Sequence, residues 1–314
     1  MSEIDQAVEI LRRGGIVGFP TETVYGLGAD ARSSSAVKKI FAVKGRPSTN
    51  PLIVHVSGVA MAKLYASRWP QQARVLAQNL WPGALTLVLP KVKEIADEAT
   101  AGLPTVALRM PDHPVAIELI RKFDGPIAAP SANRSTHVSP TTAEHVRQEF
   151  GSDVELVLDG GQCLVGIEST VLDLTTETPR ILRPGSVTRE QIETFIGPVE
   201  MKTLIASTST PAASPGQQEI HYAPRTTAYR FEKSQLEEID RTNAGLLLLG
   251  ASSEANERTI ELPEDPAAYA HDLYAALRQL DEKKLRAIYV QSPPESADWT
   301  AVWDRLRRAT RPLK

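Results

Sequence analysis

The sequence predicts an α/β protein with a large first domain and a smaller second one. Short apolar runs alternate with amphipathic helical segments along most of the chain, a pattern typical of sheets covered by helices. The length of 314 residues is about twice that of a typical single domain. At residues 203–218 the composition changes to Ser, Thr, Ala, Pro and Gly, which cannot form a core. We therefore expect domains at 1–202 and 227–314, joined by a linker at 203–226.

In the first domain, residues 4–13 place apolar side chains on one helical face, and a Gly-Gly pair ends that helix. A second helix is predicted to start after Ser33 as N-cap and to end at Lys44. Further helices are predicted at 75–80, 114–122, 141–150 and 189–195. The predicted strands are the apolar runs IVGFP, PLIVHV, ALTLVLP, TVALRMP, GPIAAPSA, VELVLDGG, STVLDLT and RILRPG. Because strands outnumber helices and their order is irregular, we expect a mixed, largely antiparallel twisted sheet with flanking helices.

The second domain contains three apolar runs, TTAYRF, AGLLLLG and LRAIYVQ, which predict strands. The segments AYAHDLYAALRQLDE and WTAVWDRLRRA have helical periodicity and separate or follow these strands. This order predicts a small Rossmann-like parallel sheet. A Gly-rich fingerprint is missing, so no dinucleotide is predicted to bind there.

Composition excludes several classes of protein. The 35 Lys and Arg against 38 Asp and Glu give a net charge of −3, which argues against a polyanion-binding surface over the whole protein. No apolar run approaches the ~20 residues of a membrane-spanning helix, and the N-terminus lacks the features of a signal peptide. The single cysteine, Cys163, excludes an internal disulfide and a Cys-cluster metal site. We expect a cytoplasmic protein with no membrane partner.

Polar side chains follow directly after apolar runs, where a strand ends and a cleft can begin. PTETVYGLGAD places Thr23 after the first run, and KGRPSTNPLIVH brings Lys44, Arg46 and Asn50 into one loop ahead of His55. The ammonium of Lys44, a point charge, and the guanidinium of Arg46, which can donate two parallel hydrogen bonds, suit phosphate oxygens. The glycine spacing of a Walker loop is missing before Lys44. The alternatives are a helix C-cap for the two cations and a satisfied core position for His55.

Further candidate residues lie along the rest of the first domain. Arg109 stands in an apolar run, where burial requires an anion, either a structural carboxylate or the substrate carboxylate that we favour. APSANRSTHVSP offers Ser131 and Ser139, the latter also a good N-cap before proline. Ser169 in GIESTV and Arg183 in RILRPG complete a cationic, hydroxyl-rich set. No HExxH, CxxC or GxSxG motif is present, so the set suits phosphoryl or nucleotidyl transfer by positioning and charge.

A series of motifs resembles the YrdC/Sua5 family in identity and in order. They are PTETVYGLGADA, KGRPSTNPLIVHV, WPGALTLVLP, LRMPDHP, PIAAPSAN, SPT, GIESTVLDL and ILRPG, and the match covers about residues 5–197. SPG at 214–216 and HYAP at 221–224 are similar to the segment that joins the two domains of Sua5-type proteins. The resemblance implies a YrdC-like twisted sheet enclosing a deep, positively charged cleft, and a small C-terminal Sua5 domain.

The activity that the resemblance implies is L-threonylcarbamoyladenylate synthesis. L-threonine, bicarbonate and ATP, with Mg²⁺ accompanying ATP, would give threonylcarbamoyl-AMP, pyrophosphate and water. The product would pass to downstream transferase machinery for the t6A modification of tRNA.

The resemblance also assigns roles to individual positions. Those assigned to L-threonine are Thr23, His55, Arg109, Ala129 through its backbone, and Ser169. Those assigned to ATP are Arg46, Asn50, Thr105, Ser131, Ser139, Arg183 and Tyr222. Those expected to act in catalysis, by offsetting the charge on pyrophosphate, are Lys44, Arg46 and Arg183. No side chain is expected to bind a metal directly.

The main alternative is a double-stranded RNA or tRNA-binding module without synthase activity. The net charge of −3 and an aromatic content of 5% argue against a surface on which RNA bases stack. A YciO-like paralogue is a further alternative, but such proteins are generally single domains, whereas this chain has a linker and a second domain.

Overall fold

The computed structural model describes residues 1–201, 221–251 and 256–313. Within these ranges the chain forms a nine-stranded sheet that ends at Met201 and a five-stranded sheet that begins at Ala228. The predicted linker at 203–226 lies outside the described residues up to position 220, as do its SPG motif and the predicted boundary between 202 and 203. The predicted domain limits therefore stay predictions.

The first sheet is mixed and mostly antiparallel, as predicted. Its strands are β1 (Val17–Phe19), β2 (Gly26–Asp30), β3 (Ile53–His55), β4 (Leu85–Pro90), β5 (Thr105–Arg109), β6 (Ile127–Ala128), β7 (Thr170–Asp173), β8 (Arg180–Arg183) and β9 (Glu200–Met201). They are arranged in the order β1-β2-β6-β3-β5-β4-β7-β8-β9. The pairs β3–β5, β4–β7 and β8–β9 are parallel, and the other pairs in that order are antiparallel.

Helices flank this sheet. They are α1 (Glu3–Arg12), α2 (Ser34–Lys44), α3 (Val59–Tyr65), α4 (Gln71–Leu80), α5 (Pro114–Phe123), α6 (Ala143–Phe150) and α7 (Arg189–Ile196). Helix α2 begins and ends where the sequence predicts: the Ser33 side chain accepts a hydrogen bond from the Ala36 amide, and Gly45 adopts a left-handed φ of 59°. A side-chain acceptor at one end and a glycine at the other satisfy the end groups that a helix leaves without partners.

The second sheet is parallel, also as predicted. Its strands are β10 (Ala228–Phe231), β11 (Ala244–Leu249), β12 (Thr259–Leu262), β13 (Ala287–Gln291) and β14 (Arg311–Pro312), and its helices are α8 (Pro266–Glu282) and α9 (Thr300–Ala309). The strand order is β12-β11-β13-β10-β14, and every described pair is parallel. The edge strands β12 and β14 are additions to the prediction. Both are short, and β14 contains proline, which a sheet tolerates at an edge.

One predicted strand is wrong. Residues 154–161, VELVLDGG, make only an isolated bridge between Val157 and Gly18 at the outer edge of β1. The Gly18 amide donates to the Leu156 carbonyl at 2.9 Å, and the Leu158 amide donates to the Gly18 carbonyl at the same distance. Because β1 has only three residues, it offers too short an edge for an apolar run of this length to form a ladder.

Strand β2 is not among the predicted strands, and it is an inner strand of the sheet. A Cβ atom at Gly28 would lie 2.8 Å from atoms of both Ile127 and Phe19. The missing side chain therefore lets its neighbours pack directly against the backbone, which is one of the positional uses of glycine in a strand.

The start of α6 also differs from its prediction. Its N-cap is Thr142, whose side chain accepts a hydrogen bond from the His145 amide at 3.3 Å. Ser139 is not the cap, because its hydroxyl donates to Glu168 at 2.5 Å. Helix α3 was not predicted, and its N-cap makes no side-chain hydrogen bond that would identify it.

A cluster of buried side chains crosses from the first domain to the second. Val24 and Ile167 of the first domain pack in the same cluster as Tyr269, Leu273 and Tyr274 of α8. Within the described ranges, no helix combines the length and the apolar character that crossing a membrane would require.

Candidate active site

A pocket opens among the ends of several strands and is closed on one side by two residues near the end of the predicted linker, His221 and Tyr222. The residues that line it are Thr21, Thr23, Val24, Tyr25, Gly26, Arg46, Ile53, His55, Arg109, Ala129, Pro130, Ser131, Glu168, Ser169, Arg183, His221 and Tyr222. Of the predicted site residues, the structure brings together Thr23, Arg46, His55, Arg109, Ala129, Ser131, Ser169, Arg183 and Tyr222. It leaves Lys44, Asn50, Thr105 and Ser139 outside this lining.

Sheet register explains one end of the pocket. His55 ends β3 and Arg109 ends β5, and the two are direct partners in the parallel pairing of these strands. Ala129 follows β6 and donates its amide to the Ile53 carbonyl at 2.8 Å. That amide is therefore engaged in the sheet, so a ligand would have to use the carbonyl of Ala129 if it uses this backbone.

Arg109 is buried and has a structural carboxylate beside it. Its Nη2 atom lies 2.6 Å from Oε1 of Glu22, and its Nη1 donates to the Thr23 hydroxyl at 2.9 Å. Oε2 of Glu22 accepts the amide of Asp112 at 3.0 Å. The structural partner that the sequence left open is thus present. The guanidinium still lines the pocket, so its role toward a substrate carboxylate stays a prediction.

His55 is buried and neutral. Burial, and secondly the charge of Arg109, lower the pKa of His55 to about 3. The ring packs edge-on against Phe19, with centroids 5.7 Å apart, and its Nδ1 has no hydrogen-bond partner in the described part of the chain. An uncharged imidazole with a free nitrogen beside Arg109 is suited to a hydrogen bond with a ligand, and it is a weak base.

The other end of the pocket contains two buried guanidinium groups. Arg183 donates from Nε and Nη2 to the Ser169 carbonyl at 3.1 and 3.0 Å, and from Nη2 to the Ser169 hydroxyl at 3.2 Å. Arg46 donates to the Pro51 carbonyl at 3.4 Å, and its Nε has no hydrogen-bond partner in the described ranges. Burial lowers the pKa of Arg46 to about 10, which keeps the group charged at neutral pH.

His221 and Tyr222 cover this end. Both are buried, and their rings meet edge-on with centroids 4.0 Å apart. Tyr222 has a left-handed φ of 60°, and neither its hydroxyl nor Nδ1 of His221 has a hydrogen-bond partner among the described residues. A non-glycine residue rarely adopts this backbone conformation, and such residues cluster at ligand sites.

Lys44 does not reach the pocket. Its ammonium donates to the carbonyls of Ser131, at 2.6 Å, and of Asn133. Burial, and secondly the charge of Arg46, hold the pKa of Lys44 well below its ordinary value. Through these hydrogen bonds Lys44 stabilises the loop that carries Ser131. Lys44 does not line the pocket, so its catalytic role stays a prediction.

The other three outlying residues are engaged elsewhere or distant. The Ser139 hydroxyl donates to Glu168. Thr105 begins β5, which Arg109 ends, so their Cα atoms are about 13 Å apart along the strand. Asn50 is buried in the loop after α2 and donates its amide to Pro47.

Sequence reasoning missed a set of buried charged and polar groups from the second domain. Arg305 of α9 pairs with Glu168 at 2.9 Å, and the Tyr274 hydroxyl of α8 donates to the same carboxylate at 2.9 Å. Asp304 pairs with Arg305 at 2.7 Å and with Arg308 at 3.1 Å. A signal was available: Arg305 interrupts the apolar side of α9, where a charge is unexpected.

Two family models cover most of the chain. The model described as "Telomere recombination", Sua5_yciO_yrdC, matches residues 9–185, and the model described as "Threonylcarbamoyl-AMP synthase, C-terminal domain" matches residues 187–310. The chain belongs to the Sua5/YciO/YrdC family.

Full-length relatives share both parts. A protein from Bacillus subtilis named threonylcarbamoyl-AMP synthase is 41% identical, over 98% of this chain and 92% of its own length. One of the same name from Pyrococcus abyssi is 39% identical, over 97% of this chain and 93% of its own. The crystal structure of P. abyssi Sua5 complexed with L-threonine superposes with a TM-score of 0.91, at 37% identity, over all of this chain and 97% of that one.

Proposed function

We propose that this chain is an L-threonylcarbamoyladenylate synthase, which converts L-threonine, bicarbonate and ATP to threonylcarbamoyl-AMP, pyrophosphate and water. Its relatives along the full length carry this name, and the P. abyssi relative was crystallised with L-threonine. The observation that carries the proposal for this chain is that Arg109 and Arg183 line one and the same pocket. A carboxylate and a phosphate chain can therefore be held side by side.

The two ends of the pocket suit the two larger substrates. Arg109 would clamp the threonine carboxylate, with Thr23 and His55 close to the rest of the amino acid. Arg46 and Arg183 would face the phosphates, and Tyr222 would close over the nucleotide. Preorganised buried cations stabilise charge that develops on a leaving group far more effectively than cations in water do.

The reaction needs positioning more than it needs a protein nucleophile. Threonine's amine would attack the carbon of bicarbonate, with loss of water, or of CO2, with loss of a proton, to form a carbamate. A carbamate oxygen would then attack the α-phosphorus in line and displace pyrophosphate. Arg46 and Arg183 would offset the charge that develops on the pyrophosphate. Because the pKa of His55 is lowered to about 3, bicarbonate is the better candidate to accept the amine proton.

Mg²⁺ would arrive bound to ATP and help to neutralise the phosphates. The residues near the pocket fit an ion that is held on phosphate oxygens. Glu22 and Glu168 already pair with Arg109 and Arg305, and the described residues contain no cluster of three or more His, Cys, Asp or Glu side chains arranged for a metal ion.

The activity also implies a use for the product, a cellular compartment and a further partner. The adenylate would be consumed by a downstream transferase in the t6A modification of tRNA, in the cytoplasm, with tRNA itself as a further partner. An RNA-binding module without synthase activity is an outcome of the test below.

The decisive assay incubates the full chain with MgATP, bicarbonate and L-threonine and measures pyrophosphate release. We expect release that requires all three substrates, together with transfer of the threonine label to an AMP adduct. Omitting each substrate in turn is the control. No turnover, combined with RNA binding that weakens steeply with salt, would overturn the proposal in favour of the RNA-binding alternative.

A further inference from the structure

Arg305, in the second domain, is completely buried and reaches into the wall of the pocket in the first domain. Its Nε donates to Oε2 of Glu168 at 2.9 Å, its Nη1 to the Pro184 carbonyl at 2.9 Å, and its Nη2 to the Glu168 carbonyl at 3.2 Å. One planar group thus holds two separate segments of the first domain, which is the kind of bridging that the fork geometry of arginine permits.

These segments carry two of the predicted ligand-binding residues. Glu168 directly precedes Ser169, and Pro184 directly follows Arg183. Arg183 in turn donates to both the carbonyl and the hydroxyl of Ser169. The position of both side chains therefore depends on backbone that Arg305 fixes one residue away.

Arg305 also contacts the residue that covers the nucleotide end. Its guanidinium carbon lies 5.2 Å from the centre of the Tyr222 ring, a cation–π contact. Tyr222 stacks on Tyr274 of α8 as well, with ring centroids 5.8 Å apart. Two helices of the second domain therefore hold this ring where it lines the pocket.

The charges around Arg305 are balanced within the interface. Its guanidinium pairs with Glu168 and Asp304, and Asp304 also pairs with Arg308. Glu168 accepts further hydrogen bonds from Ser139 and Tyr274. A buried ion pair of this kind is often no more stabilising than apolar side chains of the same volume. The guanidinium of Arg305 also donates to two backbone carbonyls beside the pocket, and this arrangement indicates a role other than stabilising the fold.

We propose that Arg305 is a positioning residue for the synthase reaction, through which the second domain sets Arg183 and Tyr222 in place for the nucleotide. The inference rests on the proposed function. It predicts that the second domain acts on ATP use through this one side chain, while Arg109, Thr23 and His55, which belong to other elements, keep their hold on threonine.

The test compares Arg305→Lys with Arg307→Ala in the full chain. Lysine keeps the positive charge beside Glu168 but cannot reach both carbonyls with one ammonium group. Arg307 is the matched control, because it lies on the same helix with its side chain exposed and its guanidinium over Trp303. The measurements are kcat, KM for ATP, threonine affinity by calorimetry in the absence of ATP, and the melting temperature.

We expect Arg305→Lys to lower kcat/KM for ATP roughly 10- to 100-fold, the range that misplaced reacting groups produce. Threonine affinity should change less than about threefold, and Arg307→Ala should behave like the parent protein. Turnover of Arg305→Lys within about threefold of the parent would overturn the proposal. So would a loss of threonine affinity as large as the loss in ATP use, because the residue would then be purely structural.

If Arg305→Lys does not fold, Tyr274→Phe provides a second test. Tyr274→Phe keeps the ring packing and removes only the hydroxyl that holds Glu168. The proposal then requires a fall of about threefold or more in kcat/KM for ATP with unchanged threonine affinity, and an unchanged kcat/KM would overturn it. If neither the parent protein nor Arg307→Ala turns over, the proposed function fails instead.

Discussion

At the scale of single residues, most of the buried charges in and beside the pocket are held by another part of the chain. Arg109 has Glu22, Lys44 has the backbone carbonyls of the loop that carries Ser131, and Arg183 has the oxygens of Ser169. A buried charge without such partners would be unstable. The consequence is preorganisation, since these groups already stand in fixed positions before any substrate binds.

Replacing Arg109 tests the carboxylate clamp. Arg109→Ala should raise KM for threonine at least about tenfold, while KM for ATP changes less than about threefold, because only one end of the pocket loses its cation. Steady-state kinetics with each substrate varied in turn measures the difference. Arg109→Lys is the control for stability, since it preserves a positive charge opposite Glu22. Equal losses for both substrates would contradict the assignment.

The buried, neutral His55 predicts a dependence of stability on pH. The folded pKa is about 3 and the ordinary unfolded value is 6.5. Between these values the unfolded chain binds a proton that the folded chain does not, so stability falls as the pH falls through this window. The slope for one such group is at most about 1.4 kcal/mol per pH unit. Above pH 6.5 the contribution is constant.

Urea denaturation between pH 5 and pH 7.5 checks the effect. His55→Gln should have a shallower loss of unfolding free energy toward low pH than the parent protein, because its side chain does not titrate. Identical slopes for the two proteins would rule out His55 as a source of acid sensitivity.

At the scale of elements, the backbones of a loop and a helix approach closely at one point where the domains meet. Gly166 has a φ of +79°, and a Cβ atom there would lie 2.4 Å from the His271 carbonyl oxygen and 2.5 Å from its Cα, both in α8. The loop before Ser169 therefore packs directly on the helix that carries Tyr274. Only glycine permits this combination of backbone angle and distance.

Gly166→Ala should separate the loop from α8. We expect a loss of about 2–5 kcal/mol in unfolding free energy, the sum of the costs of a left-handed alanine and of an overpacked contact. Gly14→Ala is the matched control, because Gly14 has a φ of +74° and nothing within 4 Å of its added Cβ. Gly14→Ala should lower the unfolding free energy by about 1–2 kcal/mol, the cost of a left-handed backbone conformation for alanine alone. Equal losses in chemical denaturation would mean that the contact with α8 contributes nothing.

At the scale of the whole molecule, the interface between the two sheets resembles a domain core more than a surface contact. One buried cluster includes Val138 and Ile167 from the first part and Leu273 and Leu277 from α8. Arg278 adds hydrogen bonds to the carbonyls of Val138 and Ser139. A large apolar interface of this kind couples the stability of its two sides.

We therefore expect the full chain to unfold in a single cooperative transition. Scanning calorimetry should show one peak, with equal calorimetric and van't Hoff enthalpies. Gly166→Ala, which weakens the interface, should broaden or split that peak, whereas Gly14→Ala should only shift it. Two separate peaks in the parent protein would show that the domains fold independently.

Local patterns in the sequence determined most of the elements, because the ends of α2 and the apolar strands depend on neighbours a few positions away. The motifs that resemble the family named nine of the residues that line the pocket, and four others that they named lie outside its lining. The wrong strand at 154–161 and the missed strand β2 have a common cause, because each depends on a segment distant in sequence. Residues 154–161 meet the short edge of β1, and Gly28 of β2 is packed against the side chain of Ile127.

Only the tertiary structure decided which buried charges meet. Glu22 and Arg109 are far apart in sequence, and Glu168 and Arg305 are farther apart still. Their pairing depends on the order of the strands and on how the second domain docks, which no local period or capping rule encodes. Lys44 illustrates the same limit. Its position at the end of a helix, close to Arg46, indicated a phosphate ligand, but in the folded protein its ammonium donates to the carbonyls of Ser131 and Asn133 instead. A charge must be satisfied where it is buried, and the fold as a whole determines what lies beside it.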